Sequence, residues 1–379
     1  MASKDKFWSC CGLSLPQLQL FMADSLTKWN IHIGQKGFDI LVKDINQYSS
    51  GFILVDSNTK VHCLDLFFRK APQLSDLLVL EVEAGEKNKS ISSCKRIWNE
   101  LSNRSADRKS CLINLGGGMI TDLGGFIASV YKRGIPFYNI PTSLLAMVDA
   151  SVGGKTGINF ELLKNQIGTI SEPKMVVIDS SFLVSMDSRE LDSGYAEMFK
   201  AGLILDRGYW EQLKDGDLSD LKFLSKKIDE SVRIKMHVVS ADKYETSYRK
   251  ILNFGHTLGH AIESYFLTLE ESKRLLHGEA IVIGMILEAY LSYRLLKFSS
   301  SSLSEITETI LRFYTLPSIT NHQKKEIINL LKYDKKVDKG KLQFVLLQSI
   351  GKAKIDVPIE DMQLIDESFQ YYNSMLNSD

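Results

Sequence analysis

The apolar run Cys111-Leu-Ile-Asn-Leu115 passes without a break into Gly116-Gly117-Gly118 and then Met119-Ile-Thr-Asp-Leu-Gly-Gly-Phe126. Such a run ending on glycines reads as a buried strand that turns directly into a helix. A strand that is apolar on both faces belongs to a parallel sheet covered by helices. Its surroundings agree. Phe52-Ile-Leu-Val-Asp56, Leu77-Leu-Val-Leu-Glu-Val82, Phe137-Tyr-Asn-Ile140 and Met175-Val-Val-Ile-Asp179 read as further strands, and Ile91 to Ser102 as a helix. The first part of the chain is therefore expected to be a Rossmann-like α/β domain.

Past residue 180 the pattern changes to long amphipathic stretches at 191–205, 222–241, 252–266, 277–296 and 303–315, which predict helices. At 379 residues and 44% hydrophobic content, the chain can fill two ordinary cores. Residues 1–179 are assigned to the α/β domain and 180–379 to an all-helical domain. Ser299 to Ser304 reads as a loop, and no internal repeat is visible.

Lysine plus arginine and aspartate plus glutamate both number 46, so no global field draws the chain to nucleic acid or an anionic membrane. No segment approaches the ~18 consecutive apolar residues of a membrane helix. Five cysteines, Cys10, Cys11, Cys63, Cys94 and Cys111, lack paired metal-ligand spacing. That usage points to reduced thiols and a cytoplasmic location.

The glycine block has chemistry to offer. Glycines permit close approach of a pyrophosphate, their amides can face its oxygens, and the following helix presents its positive end. A tight turn needed only for packing would give the same pattern. Asp122 could bind a nicotinamide or ribose group, and Asp56, ending an earlier strand, could accept from a ribose hydroxyl or simply cap the next helix. Downstream, Val148 to Asn159 crowds Asp149, Gly153, Gly154 and Lys155 into a short loop, and Lys164-Asn165 follows. Glycines and asparagine beside these lysines favour phosphate recognition over a merely solvated face.

Three of the seven histidines, His256, His260 and His277, crowd the second half. On a helix His256 and His260 share a face. They suit two metal ligands, one ligand plus one substrate contact, or two histidines satisfied by backbone groups. Glu197 and Lys200, at i and i+3 within apolar flanks, read as a partly buried pair, and Glu197 could complete a metal set with His277. Imidazoles and a carboxylate suit zinc with one open position. Lys235, Asp242, Glu245 and Arg249 lead into Asn253 and the histidines, and could present charge to an anionic substrate.

Taken in order, these blocks resemble the 3-dehydroquinate synthases. The match runs from Glu83-Ala-Gly-Glu-Lys-Asn-Lys89 through the Gly116 block, Pro141-Thr-Ser-Leu-Leu145, Val148 to Asn159, Glu197 to Lys200 and the histidines, to Asp334-Lys335-Lys336. It spans roughly residues 50–350. The resemblance implies zinc, with cobalt as a substitute, held by Glu197, His256 and His277, and His260 turned to substrate as a proton carrier. It implies NAD contacts at Asp56, Glu86, Lys89, Gly116, Gly117, Gly118, Asp122, Thr142 and Ser143, with Lys155 and Lys164 nearby. Asp149, Lys200 and Glu245 would surround the reacting hydroxyls. Lys155, Asn165, Asn253, His260 and Lys335 would hold the phosphate, and Lys235 and Arg249 the carboxylate, of a small sugar-phosphate acid. In the family the residue matching Arg133 crosses a dimer interface, which implies a homodimer.

The implied reaction turns 3-deoxy-D-arabino-heptulosonate 7-phosphate into 3-dehydroquinate and phosphate. Transient oxidation by NAD, phosphate loss, re-reduction, ring opening and aldol closure leave no net redox change. Thr121 and Leu163 stand where glycine is common in the family, and Ser143 where threonine is frequent; none removes a catalytic group. A sibling cyclase making a cyclitol would not need Arg249 for a carboxylate. A metal-dependent alcohol or glycerol dehydrogenase would release NADH and would not need the full lysine, asparagine and arginine set. A catalytically dead binding protein would have no reason to keep every one of these polar groups.

Overall fold

The computed structural model describes residues 26–161, 163–217, 219–331, 337–338 and 341–376. The chain divides into two compact units. The first comprises residues up to Met186 together with Ser219–Lys243, the second Asp187–Leu218 together with Tyr244 onward. The division differs from a single crossing near Asp179, because one helix of the later half, Leu221–Ala241, belongs with the first unit. It packs on the turns Ala146–Ala150 and Ser180–Ser185. Helical periodicity reveals an apolar face but not which core will receive it.

The first unit carries a six-stranded parallel sheet in the order β1-β8-β5-β4-β2-β3. These strands are β1 Ile31–Ile33, β2 Ser50–Asp56, β3 Leu78–Val82, β4 Ser110–Gly116, β5 Phe137–Pro141 and β8 Met175–Ile178. Every residue of the central strands β4 and β5 is buried, which explains the unbroken apolar runs. Helix α4 (Ile91–Asn103) starts at Ser90, whose hydroxyl accepts the Ser93 amide, and it buries Cys94, Ile97 and Leu101 at helical spacing. Before it come α1 (Gln35–Ile45), α2 (Ser57–His62) and α3 (Leu64–Lys70). Helix α5 (Gly118–Val130) follows β4 directly and buries Ile120, Leu123 and Ile127 against Leu54, Leu80 and Leu112. Each such side chain contributes about 1.5–3 kcal/mol by leaving water.

Val148 to Asn159 is not the loop expected from sequence. Ala146–Ala150 forms a π-helical turn, and Lys155 opens β6 (Lys155–Phe160), which pairs antiparallel with β7 (Leu163–Ile170). Gly153 and Gly154, which suggested a loop, lie in the bend before β6, and within the hairpin Gly157 pairs with Gly168.

The second unit contains α6 (Ser188–Leu205), α7 (Arg207–Lys214), α9 (His256–Leu267), α10 (His277–Leu296), α11 (Ser300–Phe313), α12 (Asn321–Leu330) and α13 (Met362–Leu376), with Leu221–Ala241 of the first unit counted as α8. It is mainly helical, but an antiparallel sheet, β9 (Val337–Asp338), β10 (Lys341–Ser349) and β11 (Lys352–Ile359), corrects the all-helical expectation. Phe344, Leu346 and Leu347 are buried there, in a segment whose short apolar run resembles a helix turn as readily as a strand. Helix α10 has the length and apolarity to cross a membrane, yet it is the core helix of this unit, with most of its surface buried. Ser299 to Ser304 is also not a loop: the Ser299 hydroxyl accepts the Ser302 amide and starts α11. Serine favours helix N-termini for the same reason it favours turns.

Candidate metal and cofactor sites

Helices α9 and α10 begin with His256 and His277 respectively. Two close crossings fix how these first turns meet. A Cβ at Gly284 would lie 2.0 Å from the Gly255 carbonyl oxygen, and one at Gly278 would lie 2.1 Å from that of Ser193. Only glycine fits such approaches. The Gly278 amide also donates to the Ser193 hydroxyl at 2.9 Å, placing His277 against the turn of α6 that leads to Glu197.

The result is a three-donor cluster. Oε1 of Glu197 lies 3.4 Å from His256 Nε2 and 3.8 Å from His277 Nε2, and one donor atom from each residue falls within 4.8 Å of the others. Glu197 and Lys200 are buried and paired through Oε2, so the pair is not a surface ion pair. Oε1, also buried, has no hydrogen-bond partner. Buried polar atoms are rarely left so, and an orphan carboxylate oxygen facing two imidazole nitrogens fits a cation that takes nitrogen and oxygen ligands.

The far sides of both imidazoles are engaged. His256 Nδ1 meets the Phe254 carbonyl at 3.1 Å, and His277 Nδ1 meets Glu263 Oε2 at 3.3 Å. Burial alone would pull His277 down, but the Glu263 and Glu197 carboxylates overcome it and push its pKa up to about 9. His260 shares the cluster, its ring 5.0 Å from that of His256 and 5.9 Å from that of His277, but it is exposed. Glu245 accepts from the Asn253 amide group at 2.8 Å, and Arg249 is buried in the turn Tyr248–Asn253.

In the first unit the glycine block lies at the C-terminal end of β4, where Gly116 pairs in register with Pro141. The Gly116 carbonyl accepts from the Thr142 amide at 3.0 Å, and a Cβ on Gly117 would touch the Ser143 hydroxyl. Gly117 is the N-cap of α5 and has no side chain there to cap its amides, which leaves a helix N-terminus suited to an anion. Ends of parallel strands are where this sheet architecture binds ligands.

A polar network lies beside it. Lys89 Nζ donates to Asp122 Oδ2 and to Asn165 Oδ1, both at 2.6 Å. The Asn159 side chain joins in, donating to Glu86 Oε1 at 3.0 Å and accepting from the Asn165 amide at 3.0 Å. Burial raises the Asp122 carboxyl pKa, and the Lys89 ammonium offsets this only in part. Lys235 on α8 contacts Asp149, reaching Oδ1 at 2.6 Å. Asp56 acts as the helix cap, its Oδ1 accepting the Asn58 and Thr59 amides at the start of α2. Lys155 and Arg133 are exposed, Arg133 in the turn Tyr131–Arg133, and Lys164 lies on β7. Lys335 is outside the described residues.

Sequence reasoning missed Glu263, Glu288, Asn159 and the buried asparagines Asn114 and Asn139. Glu263 had a signal, since it stands two helical turns after His256 and so on the same face.

A model of the 3-dehydroquinate synthase N-terminal domain matches residues 79–193, and one of the 3-dehydroquinate synthase C-terminal domain matches residues 194–337. The chain belongs to the 3-dehydroquinate synthase family. Among relatives of this family, the 3-dehydroquinate synthase of Parabacteroides distasonis is 41% identical over 333 residues, covering 86% of this chain and 92% of that protein. Two solved synthases share the fold. A 2-deoxy-scyllo-inosose synthase solved with carbaglucose-6-phosphate, NAD+ and Co2+ superposes with a TM-score of 0.78 at 24% identity, over 90% of this chain and 96% of that one. The 2-epi-5-epi-valiolone synthase of Streptomyces hygroscopicus, solved with NAD+ and Zn2+, gives a TM-score of 0.75 at 23% identity, over 93% and 97%.

Proposed function

We propose that this chain converts 3-deoxy-D-arabino-heptulosonate 7-phosphate to 3-dehydroquinate and inorganic phosphate, a carbon-oxygen lyase reaction of the shikimate pathway that feeds aromatic amino acid synthesis. Membership of the family across both halves of the chain supports the activity. The observation that carries the chemistry is the orphan Glu197 Oε1 between the His256 and His277 nitrogens.

When bound, NAD supplies a hydride acceptor that is regenerated within the turnover, and zinc, or cobalt in its place, supplies a Lewis acid for the substrate hydroxyls. Glu197, His256 and His277 would hold the metal. Lys200, against Glu197 Oε2, fixes the carboxylate so that Oε1 faces the imidazoles. Gly116, Gly117, Gly118, Thr142 and Ser143 would receive the pyrophosphate of NAD. Asp56, Glu86, Lys89, Asp122 and Lys164 would serve its remaining polar groups, with Lys89 also holding Asp122 and Asn165 in place.

On the substrate, Asp149, Lys200 and Glu245 would orient the reacting hydroxyls, and exposed His260 would carry a proton at its imidazole. Lys155, Asn165, Asn253, His260 and Lys335 would hold the phosphate, and Lys235 and Arg249 the carboxylate. Fixing a flexible ring-opened intermediate in one pose removes an entropic barrier. We further propose a cytoplasmic homodimer in which Arg133 serves the partner subunit.

The deciding experiment supplies purified protein with zinc, NAD and the heptulosonate phosphate, and follows phosphate and NADH together. Phosphate should appear without net NADH. NADH accumulating in step with product would replace this reading with a dehydrogenase.

A further inference from the structure

We infer that Glu263 is a positioning residue for the metal centre, acting through His277 and not itself a ligand. The inference rests on the metal site proposed above. Glu263 lies on α9, is buried, and accepts from His277 Nδ1 at 3.3 Å. The opposite nitrogen, Nε2, faces Glu197 Oε1.

An imidazole whose Nδ1–H donates to a carboxylate is fixed in the tautomer that leaves the Nε2 lone pair for a cation. It is also a stronger electron donor, and its ring cannot rotate away. His256 uses the Phe254 carbonyl in the same role. One ligand is thus oriented by a neutral carbonyl and the other by a carboxylate, so Glu263 does for His277 what the Phe254 backbone does for His256.

One competing arrangement is visible. Glu263, His260 and His277 also bring ligand atoms within 4.8 Å of one another, and a metal held there would make Glu263 a ligand. Two features favour the positioning role. The Glu197 set contains the orphan buried oxygen, whereas His260 is exposed. The Lys200 ammonium also anchors the Glu197 carboxylate, so the geometry of that set exists before any ion arrives.

The test measures zinc affinity of metal-free protein by competition with a chelator, with the absorption bands of bound cobalt as a second readout. At a pH just above 9, where His277 is neutral before the metal arrives, Glu263→Gln, which keeps the shape and removes the charge, should bind zinc about 10- to 100-fold more weakly, with the urea midpoint of the metal-free protein little changed. At saturation its cobalt bands should match wild type, since the ligand set is intact. His256→Ala should lose the metal and His260→Ala should keep it. Wild-type affinity in Glu263→Gln would overturn the positioning role. Retention in His256→Ala with loss in His260→Ala would make Glu263 a ligand and overturn it as well. Wild-type protein that binds no zinc would instead remove the metal reading on which the inference rests.

Discussion

Glu288, in the middle of α10, accepts the Gly255 amide on Oε2 at 2.7 Å and so caps a helix to which it does not belong. Its Oε1 takes the Thr257 and Leu258 amides at 3.1 and 3.2 Å. Helix α9 has glycine at its N-cap and no capping side chain of its own. A fully buried carboxylate from the neighbouring helix supplies the missing acceptor, at the end of the helix dipole where negative charge is favoured. Since His256 is the first residue of α9, this cap also sets where its imidazole begins. Glu288→Gln keeps one acceptor oxygen and loses the charge. It should lower stability by about 2–4 kcal/mol, given the ~1.5–3 kcal/mol typical of hydrogen bonds to charged groups. Hydrogen exchange at the Gly255, Thr257 and Leu258 amides should accelerate; unchanged protection there would show that the cap is dispensable.

The Lys89 ammonium is the counterpart of this arrangement in the first unit. Lys89→Met should leave the Asp122 carboxylate without its cation and Asn165 without its donor. Breaking a buried pair of this kind costs on the order of 3–5 kcal/mol. The sign of the pH dependence follows from burial. A carboxyl whose folded pKa is raised weakens the fold above that pKa, and the deficit shrinks as acid returns its proton. The variant should therefore lose more stability relative to wild type at pH ~8 than at pH ~5, read from urea midpoints. An equal loss at both would mean that Asp122 does not titrate in this window.

The strands were legible because parallel strands buried on both faces are continuous apolar runs, as in Cys111 to Leu115, and α4 because Cys94, Ile97 and Leu101 fall on one face. Glu197, His256 and His277 were legible as residue types in apolar surroundings, and the structure brings one donor atom of each within 4.8 Å of the others. What sequence could not show was partnership across distance. Lys235 and Asp149, 86 residues apart, form one pair, and nothing local distinguishes Lys235 from a surface lysine. Glu263 and Glu288 look like ordinary helix-surface acids until tertiary packing buries them. The hairpin of β6 and β7 escaped because glycine marks both loops and close strand crossings.

Two asparagines hold the turn that bears Asp149. Asn114 and Asn139, in register on β4 and β5, are linked by an Asn114 Nδ2 to Asn139 Oδ1 bond of 2.9 Å, and Asn139 Nδ2 donates to the Ser151 carbonyl at 3.1 Å. Ser151 closes the π-helical turn Ala146–Ala150. Asn139→Leu matches the volume but orphans a buried donor and a buried acceptor. At ~1–3 kcal/mol for each group left unsatisfied, destabilisation of about 2–5 kcal/mol is expected. Because Asp149 rides on the released turn, kcat for phosphate release should fall at least ~10-fold, a change of about 1.4 kcal/mol in the barrier. A stability loss with unchanged kcat would confine the asparagines to a structural role.

Loading of the metal should release a proton from His277. In metal-free protein the Glu263 and Glu197 carboxylates outweigh burial and push this imidazole up to about 9, whereas an unperturbed histidine titrates near ~6.5. Its contribution to the stability of metal-free protein is therefore full below ~6.5, declines above that, and is gone once pH passes about 9. A metal takes only the neutral ring, so zinc affinity should rise over the same interval. Calorimetric titration at pH ~7.5 in buffers of different ionisation enthalpy should show about one proton released per zinc through this residue, with the release vanishing as pH passes about 9. Glu263→Gln removes one of the two carboxylates and should shrink the release at pH ~7.5. Heats independent of buffer in the wild type would show that His277 is already neutral when the metal arrives.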